Sequence, residues 1–413
     1  MLKFCHLKFL ITAPLIVGAL LSNSIVCAEL PESNLEVNSF TSKLDSLGFE
    51  KKVNKSLFLP ELSINGGLGS EKILDRSADT EKGPYLFLDG RINLYRGGRD
   101  SNTGLKTQTQ IDITKIEREL KKRNLNIESF KIISELNYLA KDNQLIVEEL
   151  KNNKSEQAMA KKKVDAGLTT SVDLLDFELK SENLSNEMEK NNLKTKELEL
   201  VLKNLYGGNV ELETILKNYS DISQSSLSAN ESDLSPDILL VKKQLELSEL
   251  DKINIKAEYL PTVELEAKWG QITPHEKLLS TNREHQVALN INIPLFSGFS
   301  TEGKLQQVII ESTQKKRELR QGELNLSSKK EIDLKKIDLF KRLLSSNERL
   351  LSKAQKYREL TIGEYKRGIK NSPDVILASD KRLELERKIL ETQNELSVAT
   401  YSFTETFKSY KAE

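Results

Sequence analysis

The residue types that most often carry chemistry are almost absent from this chain. Among 413 residues there are two cysteines and three histidines. Cys5, Cys27 and His6 fall within residues 1–28, which read as a secretory signal. Lys3 and Lys8 precede an apolar run from Phe9 to Leu21, and Val26-Cys27-Ala28 offers small residues for cleavage before Glu29. Lipid modification of Cys27 is the other reading of that stretch. Removal of the segment leaves no thiol for a disulfide, a thiolate metal site or a nucleophile. His275 and His285 are too few for a histidine-rich metal site. Gly66-Gly67-Leu68-Gly69 precedes no helix and reads as strand-end glycines, not a phosphate loop. The sequence therefore predicts no catalytic, cofactor-binding or metal-ligating set.

The sharpest local signals are two turns. One runs Ala166-Gly167-Leu168-Thr169-Thr170-Ser171-Val172-Asp173, the other Arg367-Gly368-Ile369-Lys370-Asn371-Ser372-Pro373-Asp374. In each, Gly can end one helix and Ser with Asp can start the next. Capping alone accounts for these residue types. Their separation says more, because 368 − 167 = 201, and the same offset relates Leu59-Pro60 to Leu260-Pro261 and Gly69 to Gly270. It also relates Leu88, Ile92, Leu94 and Gly97 to Leu289, Ile293, Leu295 and Gly298. Loops absorb insertions readily, so an offset that does not drift implies two halves that each span a fixed distance.

Each half reads as strand, strand, long helix, tight turn, shorter helix. The class is α+β and mostly α. The first repeat, 29–217, is expected to hold strands near 57–70 and 84–95 and helices near 100–166 and 173–206. A linker rich in Ser, Asn and Asp covers 218–235, and Ser235-Pro236-Asp237 signals a helix start after it. The second repeat, 236–413, is expected to hold strands near 259–271 and 285–296 and helices near 300–367 and 374–409. Val263, Leu265, Ala267 and Trp269 alternate with Glu264, Glu266 and Lys268, a period of two. Runs of about ten residues suit tilted transmembrane strands. An ordinary half-buried sheet shows the same alternation.

The proline-free stretches from Asp100 to Ala166 and from Ser300 to Arg367 predict helices of roughly 100 Å, far longer than a globular domain is wide. In the helix after the first turn, Phe177, Ser181, Leu184, Met188, Asn191, Thr195, Leu198, Leu202 and Leu205 follow steps of four and three, a coiled-coil seam. The lysine clusters Lys161 to Lys163 and Lys315 to Arg317 read as solvated faces. Lys plus Arg and Asp plus Glu are both 62, so the net charge is zero and no nucleic-acid surface is expected. No later stretch approaches 18 uninterrupted apolar residues, so a membrane-spanning part would be built from strands.

Taken together, these features resemble the TolC-type outer-membrane efflux factor family. They are the signal segment, the two strand–strand–helix–turn–helix halves, Pro294-Leu295-Phe296-Ser297-Gly298-Phe299, and the two Gly…Ser-x-Asp turns. The resemblance covers nearly the whole mature chain. It implies a homotrimer whose protomers each give four strands to one twelve-stranded barrel in the outer membrane, with the helices forming a periplasmic tunnel. It implies passive conduction of cargo for an efflux pump or type I secretion system. The implied partners are a periplasmic adaptor and an inner-membrane transporter of the RND or ABC kind, with no enzyme activity. The other reading of the hairpins is a periplasmic coiled-coil adaptor or structural protein.

The same resemblance assigns roles at the turns. Gly167, Leu168, Gly368 and Ile369 would form the adaptor-docking tips. Tyr365 matches the family's gating tyrosine, and Lys370 stands where arginine is usual. Asp173 matches the aspartate those two contact, and Asp374 matches one of the acidic rings at the entrance. Leu377 replaces a second acidic residue, whereas Asp176 keeps its carboxylate.

Overall fold

The computed structural model describes residues 34–71, 81–208, 235–278 and 283–408. The signal segment, the linker up to residue 234 and the outer parts of both strand-connecting loops lie outside these ranges. The chain opens with α1 (Leu35–Ser56), then β1 (Glu61–Glu71), β2 (Glu81–Arg96), α2 (Arg99–Asp165) and α3 (Ser171–Leu205). It continues with α4 (Pro236–Lys256), one 3₁₀ turn, β3 (Thr262–Gln271), β4 (Glu284–Asn292), α5 (Ser300–Lys366) and α6 (Ser372–Thr406). Both α2 and α5 have 67 residues, and α3 and α6 both have 35. At 1.5 Å per residue the long pair spans about 100 Å.

Besides shifts of three or four residues at the starts of β1, β2 and β3, two departures from the sequence reading stand out. The first is α1, which was not anticipated. Only Val37, Leu47 and Asn54 of its 22 residues are buried, so it carries almost no amphipathic signal. Its one clear mark is Asn34, whose side chain caps Glu36 and Val37 at 2.9 and 3.2 Å. The second is β4, which stops at Asn292 instead of continuing to 296. Pro294 has no N–H to give a ladder, and Ile293 to Ser297 carry no regular structure.

The four strands form one antiparallel sheet in the order β1-β2-β3-β4, with β1 and β4 as free edges. Its register gives it two unlike faces. Ile64, Leu88 and Trp269 share one row, Ile92, Leu265 and Leu289 another, all on one side. Ser63, Asp89, Lys268 and Gln286 lie on the other side, as do Arg91 and Glu266. Among the described residues no helix covers the apolar face, and Leu62, Ile64, Leu68, Val287, Leu289 and Ile291 stay exposed. On the polar face Arg91 pairs with Asp89 at 2.8 Å and Glu266 at 3.2 Å, and Lys268 reaches Glu266 at 3.1 Å.

The long helices lie in a row ordered α3, α2, α6, α5. On the sheet-proximal part of α2, α1 and α4 pack through Asn54–Thr107 (2.7 Å) and a two-pronged Arg123–Asp237 pair (2.7 and 3.0 Å). Where α3 ends, α1 begins, and Asn34 donates to the Leu205 carbonyl at 2.5 Å. Val37, Leu125, Phe130, Leu202 and Tyr401 form the apolar cluster at that junction. No described helix is long and apolar enough to cross a membrane.

Candidate functional site

At the end of the molecule far from the sheet, the two helix hairpins turn side by side. Both turns are closed by the same backbone device. Leu168 N–H donates to Lys163 O at 2.8 Å and Gly167 N–H to Val164 O at 2.9 Å. In the second turn Ile369 N–H donates to Glu364 O and Gly368 N–H to Tyr365 O, both at 3.0 Å. This double bond pattern needs a left-handed residue just past the helix, and Gly167 (φ 67°) and Gly368 (φ 78°) supply it. It leaves the next residue pointing outward: Leu168 is 76% exposed and Ile369 65%. The structure thus brings Gly167, Leu168, Gly368 and Ile369 to one end of the molecule.

The helix starts differ from each other. Asn371, not Ser372, caps α6, in a reciprocal box with Asp374 (3.3 and 3.5 Å). Ser372 is therefore free to reach across to the first hairpin. Its hydroxyl lies 2.7 Å from Asp173 and 2.8 Å from Asp176, and its N–H points at Asp173 from 3.4 Å. Thr169 donates to the other oxygen of Asp173 at 2.5 Å. Burial opposes the charge on Asp173, but the Thr169 and Ser372 donors outweigh it and hold its carboxyl below the ordinary value.

The expected contacts of Asp173 are not the ones found within the chain. Lys370, in the turn just before α6, reaches forward to Asp374 in the first turn of that helix at 3.4 Å. The Tyr365 hydroxyl is buried with no hydrogen-bond partner among the described residues. Its ring is packed edge-on against Phe177 at 6.1 Å, beside Ala160 and Val375. That burial, with the negative charges of Asp173 and Glu156 behind it, pushes the Tyr365 pKa up to about 12.

A residue that sequence reasoning assigned to a solvated face takes the missing place. Lys163 donates to the Tyr365 carbonyl and lies 3.7 Å above the Tyr365 ring. The carbonyl belongs to the last turn of α5, where the helix dipole is negative. Lys163 also ends a seven-residue series along α2. Glu135, Asp142, Glu149 and Glu156 precede it at equal steps, and each finds a cation on a neighbouring helix. These are Lys194 at 2.5 Å, Arg387 at 2.7 Å, Lys180 with Arg382 at 2.6 Å each, and Arg358 at 2.7 Å. A carboxylate every seventh residue was legible in the sequence, but the apolar seam of α3 hid its meaning.

Glu149 is fully buried. Burial disfavours its charge, yet Lys180 and Arg382 together hold its carboxyl below the ordinary value. At Glu156 burial wins over the single Arg358, and the carboxyl is pushed up.

A four-stranded sheet with one bare apolar face, mounted on paired helical hairpins of about 100 Å, defines a class. It is the fold of the TolC-type outer-membrane channels that the resemblance predicted. Solved structures bear this out. CusC matches with a TM-score of 0.79 over 95% of this chain and 96% of that one, at 16% identity. The outer membrane protein VceC from Vibrio cholerae matches at 0.79 over 92% and 95%, with 14% identity. The open state of the Neisseria gonorrhoeae MtrE outer membrane channel matches at 0.74 over 91% and 86%, with 13% identity. No family model and no curated protein matches the sequence.

Proposed function

We propose that this protein is the outer-membrane exit duct of a tripartite efflux pump, working as a homotrimer with the helical tunnel in the periplasm. The observation that carries the reading is the uncovered apolar face of the sheet. A face of Leu, Ile, Val and Trp is not left in water, and lipid is the cover that suits a sheet whose opposite face is charged. The sheet has two unpaired edges, and four strands are too few to close a barrel. Three copies give twelve strands and remove every edge. The helix row is open in the same way. Leu175, Leu179 and Leu193 of α3 and Ile310, Leu324 and Leu360 of α5 are exposed at its two ends and are free to meet in neighbouring copies.

In this reading the polar face of the sheet lines the lumen, and the hairpin tips form the periplasmic entrance. Tyr365, Asp173, Lys370 and Asp374 belong to the gate at that entrance, held shut within each protomer by Ser372–Asp173 and Lys163–Tyr365, and Leu168 and Ile369 are knobs for a periplasmic adaptor that couples the duct to an inner-membrane RND or ABC transporter. A type I secretion partner uses the same architecture. Coverage of nine-tenths of the chain by channel folds supports the duct over a periplasmic adaptor. The test is mass measurement in detergent followed by planar-bilayer recording. A trimer with discrete conductance steps is expected, and a monomer without channel activity refutes the reading.

A further inference from the structure

The connection from β3 to β4 leaves the plane of the sheet and lies across its polar face. Strand side chains alternate between faces, so Ser63, Asn65, Gly67 and Gly69 of β1 share one side. Gly83, Tyr85, Phe87 and Asp89 of β2 lie on that side with them. Gly69 and Gly83 are register partners at the end of the sheet far from the helices. A Cβ on Gly69 would stand 2.9 Å from Pro274 Cγ, and one on Gly83 would overlap the carbonyl oxygen of His275. The connection therefore fills the space that side chains at these two positions would take, a close approach only glycine permits. Residues 272–275 pass from β3 over the start of β2 to β1, two strands away, on the side that carries Asp89 and Lys268.

The crossing is fastened at several points. The buried Gln271 donates from Nε2 to the carbonyls of Pro84 (2.7 Å) and Lys277 (3.2 Å). His275 N–H donates to the same Pro84 carbonyl at 3.2 Å. Thr273 donates from its N–H and its hydroxyl to Glu284, at 3.1 and 3.0 Å. Pro274 is buried, and the Tyr85 ring converges on the same place, with Cε1 3.5 Å from where a Gly69 Cβ would be. A loop held only by its two strands would need neither a facing pair of glycines nor a buried amide. This one is a strap with a seat built for it.

We propose that this strap sets the size of what can leave the duct. The inference rests on the reading above, in which the polar face lines the lumen and the end of the sheet away from the helices faces outward. Three straps, one from each protomer, then lie inside the mouth of one barrel and narrow it. Pro274, wedged over Gly69, and Gln271, which pins the crossing, are the specificity-determining residues. Selection is by cross-section: solutes that fit between the straps leave, and bulkier ones are held back.

The test is thiol labelling of the full chain on intact cells, since no cysteine follows Cys27 and an introduced one is read cleanly. The reagents are a small charged maleimide and a maleimide carried on a polyethylene glycol too large for porins. Lys277→Cys, on the exposed outer turn of the strap, is expected to take both from outside. Ser63→Cys, exposed on the polar face near the helix end of the sheet, is expected to take the small reagent and refuse the large one. Adding Gly69→Val with Gln271→Ala is expected to lift the strap and let the large reagent reach the thiol at position 63. Large-reagent labelling of Ser63→Cys with the strap intact overturns the size filter, as does none after release in a trimer of normal mass. Should the released variant fail to assemble, Gly69→Cys with Pro274→Cys is expected to form a disulfide, and its absence overturns the proposal equally. No large-reagent labelling of Lys277→Cys would remove the outward-facing reading and this inference together.

Discussion

The ammonium group of Lys163 lies 3.7 Å above the ring of Tyr365 and donates to that residue's carbonyl. One side chain of the first hairpin thus holds the last turn of the second at two points. A cation over a partly desolvated ring is worth about 1–2 kcal/mol, and a bond from a charged donor adds about as much. Lys163 is therefore the stronger tie between the hairpins, and the Tyr365 hydroxyl, which bonds nothing among the described residues, is the weaker.

That ranking gives a first prediction. Lys163→Met should raise single-channel conductance or open probability in planar bilayers, because it removes both contacts while keeping the stem packed. Tyr365→Phe should change little by comparison. Equal effects of the two variants, or an effect of Tyr365→Phe alone, would show that the hydroxyl carries the lock through a contact made only in the assembled trimer.

Ser372 makes a second prediction about pH. Its single O–H proton serves Asp173 or Asp176, and the Asp173 carboxyl is held below its ordinary 3.8. A depressed carboxyl pKa contributes stability above the unfolded value near 4, which is lost as pH falls through the folded value. The tip should stay closed at neutral and mildly acidic pH and loosen only below about pH 4. Ser372→Ala should move that loosening upward toward the ordinary carboxylate range. Conductance recorded from pH 7 to pH 3 checks it, and coincident profiles for wild type and variant would refute it.

The buried charges predict a stability effect of a distinct kind. Glu149→Ala leaves Lys180 with only Asp380 (3.2 Å) and Arg382 with Glu386 (2.9 Å) and Glu148 (3.8 Å), at a cost of up to about 3–5 kcal/mol. Removing the charges together, with Glu149→Leu, Lys180→Met, Arg382→Leu and Glu386→Gln so that no carboxylate is left without its cation, should recover most of that loss. Thermal unfolding in detergent compares the two. A combined variant as unstable as Glu149→Ala would mean that the buried charges stabilise the helix row beyond what apolar packing replaces.

The exposed tips make the last prediction. Leu168→Asp with Ile369→Asp should abolish export in cells while leaving trimer mass and membrane insertion unchanged, since both side chains are largely exposed. Gly368→Val should impair export too, but through the backbone. It costs on the order of 1–2 kcal/mol at a left-handed position, although its Cβ would meet nothing within 4 Å. Normal export by the aspartate pair would rule out an apolar docking knob.

The sequence by itself determined the periodic features, because period and length are local properties. Alternation over ten residues made strands, and proline-free heptads made helices of about 100 Å. Glycine marked both turns, since no other residue takes the left-handed position so cheaply. An offset of 201 aligned the two hairpins so that their tips arrive together. Tertiary structure alone decided which side chains meet. Asp173 found Ser372 because Asn371 had already taken the cap, and Lys163 found Tyr365 because the last turn of α5 presents a carbonyl to it. α1 escaped the sequence reading because it is held by contacts made across its length to α2, not by an apolar stripe of its own. Partner choice among many similar charges depends on distances of a few ångströms between helices, and a linear pattern does not contain those distances.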